Sequence, residues 1–340
     1  MPRRSQFILV LLLLAGALVL VNLLARRHAR AMLHFSAGGA RTVTPEELTP
    51  AARLGVLLRG VNLPRPEDPR PPATLTPDAR EIRIPSTPPA QLCAWYAPQP
   101  APAPLVLLFH GYSTDKTRLL PEARALHALG ASVLLVDFRG SGGSPEAYTT
   151  LGYLEADDVA AAIAHARDHL PHTALILYGQ SMGSAAILRA VHVHDVRPDA
   201  VILESVFDTM LAAIRSRFRA MGLPSTPGAE LLVFWGGRAF HFNGLAHNPR
   251  RYARSLTCPA LFLHGADDPR APPAQARNVY AAARGPKRFV AFDDVGHGSY
   301  LARHPGAWHE VVRRFLDPFL APEPSPSPQS ATPNHQTGDP

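Results

Sequence analysis

The chain is poor in lysine and in cysteine. Of its 34 cationic residues only Lys116 and Lys287 are lysines, and the rest are arginines. The formal charge of +7 therefore comes with an arginine, alanine and proline bias that reads as compositional. No basic run with interleaved aromatics occurs beyond short clusters such as Arg26-Arg27, which argues against a nucleic-acid partner. The two cysteines, Cys93 and Cys258, lie in or beside predicted strands and match no metal-ligand spacing. They are expected to be reduced structural thiols. No metal site and no organic cofactor is expected.

What the chain does have is an apolar run near its start. Phe7 to Ala25 contains Asn22 as its only strongly polar residue. At helical rise this run spans about 28 Å, close to the roughly 30 Å core of a bilayer. A signal peptide has a shorter apolar core, of about 7–15 residues. Ala15-Gly16-Ala17 falls inside the run and Ala29-Arg30-Ala31 lies among cations, so neither reads as a good cleavage site. Residues 1–30 are expected to be a single-pass membrane anchor, with a signal peptide as the alternative. The flanking arginines are nearly balanced and fix orientation poorly; the short basic N-terminus leans towards an extracytoplasmic domain.

Residues 31–80, rich in Pro, Gly, Arg and Thr, read as a linker with one helical candidate, Pro45 to Leu58. Glu81–Pro85 and Gln91–Tyr96 read as a hairpin. From Leu105 the chain alternates. Strands are expected at Leu105–Phe109, Ser132–Asp137, Ala174–Tyr178, Ala200–Leu203, Ala260–Leu263 and Arg288–Phe292. Helices are expected at Leu119–Leu129, Glu155–Leu170, Ser184–His194, Pro273–Ala283 and Ala307–Leu320. Such alternation implies an α/β fold, with a mostly parallel central sheet and helices on both faces. The alternation breaks at about 208–256, which reads as a helical cap insertion. Its aromatic residues Phe234, Trp235, Phe240 and Phe242 are either the cap's own core or the lining of an acyl pocket. Residues 322–340 read as a disordered Pro-rich tail.

The chain is organised around Ala174 to Leu188, an apolar run, the turn Gly179-x-Ser181-x-Gly183, and a helix-forming run. A serine on a sharp strand-to-helix turn needs small residues two positions either side, because a Cβ there would strike the neighbouring strand and helix. The pattern alone is weak; its apolar and helical flanks give it weight. A serine hydroxyl becomes a nucleophile when a base takes its proton and an acid orients that base. Downstream, the adjacent Asp267 and Asp268 follow the strand Ala260–Leu263 as candidate acids, and Glu204 is a distant third. His297, between Gly296 and Gly298, follows the last strand and is the expected base. His110 and His264 each end a strand before glycine and read as structural. The two N–H donors of an oxyanion hole are expected from the backbones of Met182 and Tyr112.

The segments Phe109-His110-Gly111-Tyr112, Asp137-Phe138-Arg139-Gly140-Ser141-Gly142, Gly179-Gln180-Ser181-Met182-Gly183, His264-Gly265-Ala266-Asp267-Asp268 and Gly296-His297-Gly298-Ser299 together resemble the α/β-hydrolase superfamily. The chain is similar to its bacterial serine-hydrolase group, related to serine aminopeptidase-like and monoacylglycerol-lipase-like proteins. The resemblance implies an α/β-hydrolase domain over 81–321 and a Ser181-His297-Asp268 triad working through an acyl-enzyme, with Asp267 as the fallback acid. It departs from its relatives at Ser86-Thr87-Pro88-Pro89, where an Asp-Gly turn is usual, and at Val206, where proline is usual. The anchor and the aromatic cap favour a small-molecule acyl substrate of amphiphilic or lipid-like character. The resemblance also allows a peptidase or amidase, and the competing class is a non-catalytic scaffold that binds a partner.

Overall fold

The computed structural model describes residues 2–86, 91–100 and 102–320. The expected tail at 322–340 and residues 87–89 of the first hairpin turn lie outside them.

The strands are β1 (Arg80–Pro85), β2 (Gln91–Ala97), β3 (Leu105–Phe109), β4 (Ser132–Val136), β5 (Leu175–Gln180), β6 (Ala200–Glu204), β7 (Ala260–Gly265) and β8 (Lys287–Phe292). They form one eight-stranded sheet in the order β1-β2-β4-β3-β5-β6-β7-β8. The β1–β2 and β2–β4 pairs are antiparallel and the rest are parallel. The parallel strands read as unbroken apolar runs because both faces are covered. Leu105, Leu107 and Phe109 point into one half of the core, while Val106 and Leu108 point into the other.

The helices are α1 (Pro2–Leu33), α2 (Pro50–Arg59), α3 (Leu120–Ala128), α4 (Glu155–His169), α5 (Met182–Val193), α6 (Met210–Ala220), α7 (Gly228–Ala239), α8 (Pro249–Tyr252), α9 (Pro273–Ala282), α10 (Tyr300–Arg303) and α11 (Pro305–Leu316). Helices α4, α5 and α9 cover the first face with residues such as Val159, Ile187 and Val279. Helices α3 and α11 cover the second with Leu126, Trp308 and Val312. The last helix starts earlier and stops sooner than its apolar pattern suggests. Pro305 suits the first turn, and Pro318 has no N–H with which to continue the helix. The cysteines are free thiols, Cys93 buried and Cys258 half-buried.

The cap consists of α6, α7 and α8, with one 3-10 turn (Gly244–Ala246) between α7 and α8 and another (Ala253–Ser255) after α8. Phe234, Trp235, Phe240 and Phe242 do not line the small cavity that holds Ser181. Trp235 donates its indole N–H to Asn22 Oδ1 at 3.2 Å, Phe240 stacks on His34, and Phe242 stacks on Tyr153 at 3.8 Å between centroids. Phe234 is exposed.

Helix α1 is long and apolar enough over Gln6–Leu33 to cross a membrane, by length and composition. Its first part is bare, whereas Ala25, Ala29 and Leu33 are buried where it packs on α7. The single helical candidate at Pro45–Leu58 divides into a 3-10 turn (Pro45–Glu47) and α2. Pro50 forces the break, because the residue before a proline is pushed to extended backbone. Thr49 is extended and caps α2 through its hydroxyl, which accepts from Ala52 N at 3.3 Å. The segment expected to link α1 to the domain runs along that domain. Phe35 N donates to Ala147 O at 2.8 Å, Gly142 N to Pro66 O at 2.8 Å, and Arg124 Nε to Thr74 O at 2.9 Å.

Candidate active site

The parallel register brings Phe109, Gln180, Gly265 and Phe292 to one edge of the sheet, and each opens a loop that carries a polar side chain. Strand β5 stops at Gln180 and α5 begins at Met182, leaving Ser181 alone in the turn at φ 54° and ψ −106°. A non-glycine residue rarely adopts this conformation. It is held by a hydrogen bond from Ser181 N to Glu204 O at 2.8 Å. The flanking glycines are sterically required. A Cβ on Gly179 would stand 2.6 Å from Ser184 N, and one on Gly183 would stand 2.1 Å from Phe109 O.

His297 Nε2 lies 3.0 Å from Ser181 Oγ, and His297 Nδ1 lies 2.7 Å from Asp268 Oδ2. A carboxylate can only accept, so Nδ1 donates to Asp268 and Nε2 is left to accept from the serine hydroxyl. Asp268 is buried, and its other oxygen accepts from Arg270 N and Ala271 N, both at 2.9 Å. Burial alone would raise the Asp268 carboxyl. The hydrogen bond and charge of His297, with the Ala271 N–H, outweigh it and hold the group below the usual carboxylate range.

The alternative acids lie elsewhere. Asp267 is exposed. Glu204 is buried beneath the sheet edge, where it accepts from Tyr178 Oη, from Trp308 Nε1 at 3.3 Å and from Gln180 Nε2 at 3.4 Å. His110 accepts from Phe138 N on Nε2 at 3.1 Å, so its Nδ1 donates to Gly111 O at 2.8 Å. His264 Nε2 donates to Ala271 O at 2.7 Å. Both histidines brace loops.

Met182 opens α5, so its N–H is among those that a helix leaves unpaired. Tyr112 follows Gly111, which lies against the elbow, although a Cβ there would make only ordinary van der Waals contacts. A Cβ at Gly111 would stand 3.6 Å from Gln180 Oε1 and 3.8 Å from Ser181 Cβ. Two buried ion pairs fix the surrounding loops, Lys116 Nζ to Asp137 at 2.6 Å and Arg139 to Asp158 at 2.7 Å. Glu155, at the start of α4, accepts from Thr149 Oγ1 and Thr150 N at 2.7 Å and from Gly152 N at 2.9 Å. Sequence reasoning missed Arg217 of α6, which shares a small cavity with Ser181, His297, Tyr112 and Arg270. It lies inside the stretch read only as a helical cap, and no local motif distinguishes it.

An elbow serine, a histidine and a carboxylate in one hydrogen-bonded chain at the C-terminal edge of this sheet define a class, the α/β-hydrolase superfamily, and the chain belongs to it. The family described as "Serine aminopeptidase, S33" matches residues 100–214. "Uncharacterized protein Rv2307c" of Mycobacterium tuberculosis (strain ATCC 25618 / H37Rv) is 30% identical over 249 residues, covering 72% of this chain and 81% of that protein. "Protein bem46" of Schizosaccharomyces pombe is 27% identical over 221 residues, covering 64% of this chain and 68% of that protein. Among solved structures, the Pyrococcus furiosus esterase Pf2001 superposes with a TM-score of 0.64 at 22% identity, covering 76% of this chain and 98% of its own.

Proposed function

We propose that the protein is a membrane-tethered serine hydrolase that cleaves a carboxylic ester through an acyl-enzyme. The hydrogen-bonded run Ser181–His297–Asp268 on a strained elbow carries this reading. Ser181 Oγ attacks the acyl carbonyl as His297 Nε2 takes its proton. The carbonyl oxygen, now negative, is held by the N–H groups of Met182 and Tyr112. His297 returns the proton to the leaving alkoxide, and the acyl group stays on Ser181. Water, deprotonated by the same imidazole, then releases the acid. Asp268 keeps the imidazole in the required tautomer and stabilises its charged form.

The substrate is a small acyl compound of amphiphilic or lipid-like character. Helix α1 supports that choice, because it would hold the site beside a bilayer, with the catalytic domain on the extracytoplasmic side. The match to a family described as a serine aminopeptidase supports a second reading, cleavage of an amide. Steady-state assays of the full-length protein with p-nitrophenyl esters and aminoacyl p-nitroanilides separate the two. Ester turnover that vanishes in Ser181→Ala is the expected result. A clear preference for the anilides would favour the peptidase, and no turnover of either by a folded protein would leave the scaffold reading.

A further inference from the structure

A cavity of about 350 Å³ opens beside the candidate active site, within the size range of small-molecule sites, roughly 300–1,000 Å³. One wall is a single face of α1, formed by Val21, Leu24, Ala25, His28 and Met32 at helical spacing. A second wall comes from the segment after it, with Leu48, Val56, Leu57 and Val61. The cap closes the third side with Ile214, Phe218 and Leu232. Tyr112, Arg217 and Arg270 line both this cavity and the small one that holds Ser181 and His297, so the two share a neck.

The walls are tied to the catalytic loops by polar contacts. Tyr112 Oη donates to Met32 O at the end of α1. Arg41 donates to the backbone carbonyl of Ser113, and to its Oγ at 2.5 Å. Arg270, two residues after Asp268, pairs with Glu46 at 3.0 Å. Arg217 stands in the neck with its guanidinium 5.5 Å from the centre of the Tyr112 ring, and among the described residues it makes no ion pair. An apolar cavity and a polar neck leading to Ser181 match an amphiphile whose chain lies in the cavity.

We infer that this cavity is the acyl-chain site, and that α1 and the 41–63 segment are its walls as well as the means of attachment. The inference rests on the hydrolase reading above. A chain leaving a bilayer along α1 reaches Ser181 through the neck. Chain-length preference is therefore set in part by residues outside the sheet and its cap.

The test uses full-length protein in detergent micelles, with p-nitrophenyl butanoate and decanoate as probes. The wild type is expected to favour decanoate by tenfold or more in kcat/KM. Leu24→Trp and Val61→Trp fill the cavity from two different walls. Each is expected to lower kcat/KM for decanoate at least tenfold while butanoate stays within twofold. Reaction of Ser181 with a fluorophosphonate reports independently on the catalytic centre. Labelled protein that favours butanoate, or variants that leave the decanoate preference unchanged, would overturn the inference alone. A wild type whose Ser181 does not label would defeat the hydrolase reading and the inference with it.

Discussion

Tyr112 donates its phenolic hydrogen to the backbone carbonyl of Met32, so the loop expected to supply an oxyanion donor is fastened to the last turn of the N-terminal helix. Burial pushes the Tyr112 phenol up to about 12, so it stays protonated and able to donate across the neutral range. The proposed catalytic contribution of Tyr112 is its backbone N–H. Tyr112→Phe should therefore keep kcat within a few-fold while removing one hydrogen bond, about 0.5–1.5 kcal/mol of stability. Denaturant melts beside kcat measurements check both parts. A thousandfold loss of kcat at unchanged stability would give the hydroxyl a direct role.

The choice of acid is open to a paired test. Asp268→Asn should lower kcat by roughly 10³–10⁴-fold, because the amide would hold the imidazole in the wrong tautomer. Asp267→Asn, in an exposed residue one position away, should leave kcat within twofold. A large effect at Asp267 with none at Asp268 would reverse the assignment.

Much of this arrangement is legible in the sequence. Strand β3 is visible because a five-residue apolar run bounded by proline and His-Gly has no other economical place to go than between two helical layers. The elbow is visible because Gly179 and Gly183 are demanded by contacts below 3 Å. The order Ser181, Asp268, His297 needs only the parallel register to bring the three side chains to one edge. The large cavity was not legible. Val21 and Leu24 satisfy a membrane-span pattern fully, Met32 falls where the linker is expected to begin, and nothing local says that one face of the helix turns towards the domain. The contacts made by Arg41, Glu46 and Arg65 join residues more than seventy positions apart, a separation that periodicity cannot read.

Loop rigidity around the site rests on buried charge. Arg139 donates to both oxygens of Asp158, and both side chains are nearly fully buried. Asp158→Ala leaves an uncompensated guanidinium and should cost about 3–5 kcal/mol. Glu310→Ala, which breaks an exposed pair with Arg314, should change stability by less than about 1 kcal/mol. Equal effects in urea unfolding would contradict this account of the loops.

Glu204 makes stability depend on pH. Burial raises its carboxyl from 4.5 to about 8, and the nearby Glu122 carboxylate adds to the rise, against hydrogen bonds from Tyr178, Trp308 and Gln180. Between those values the native state holds a proton that the unfolded chain has released. Stability therefore falls as pH rises from about 4.5 towards 8. Glu204→Gln should flatten that slope in urea midpoints measured across the window. A variant as pH-sensitive as the wild type would show that the slope has another source.

The central claim is that His297 activates Ser181 for attack. Mass mapping of full-length protein after reaction with a fluorophosphonate tests it most directly, run beside Ser181→Ala and His297→Ala. The account predicts one adduct, on Ser181, absent from Ser181→Ala and formed about 10²-fold or more slowly in His297→Ala, the usual contribution of a general base. An adduct on another residue, or an unchanged rate without His297, would contradict it.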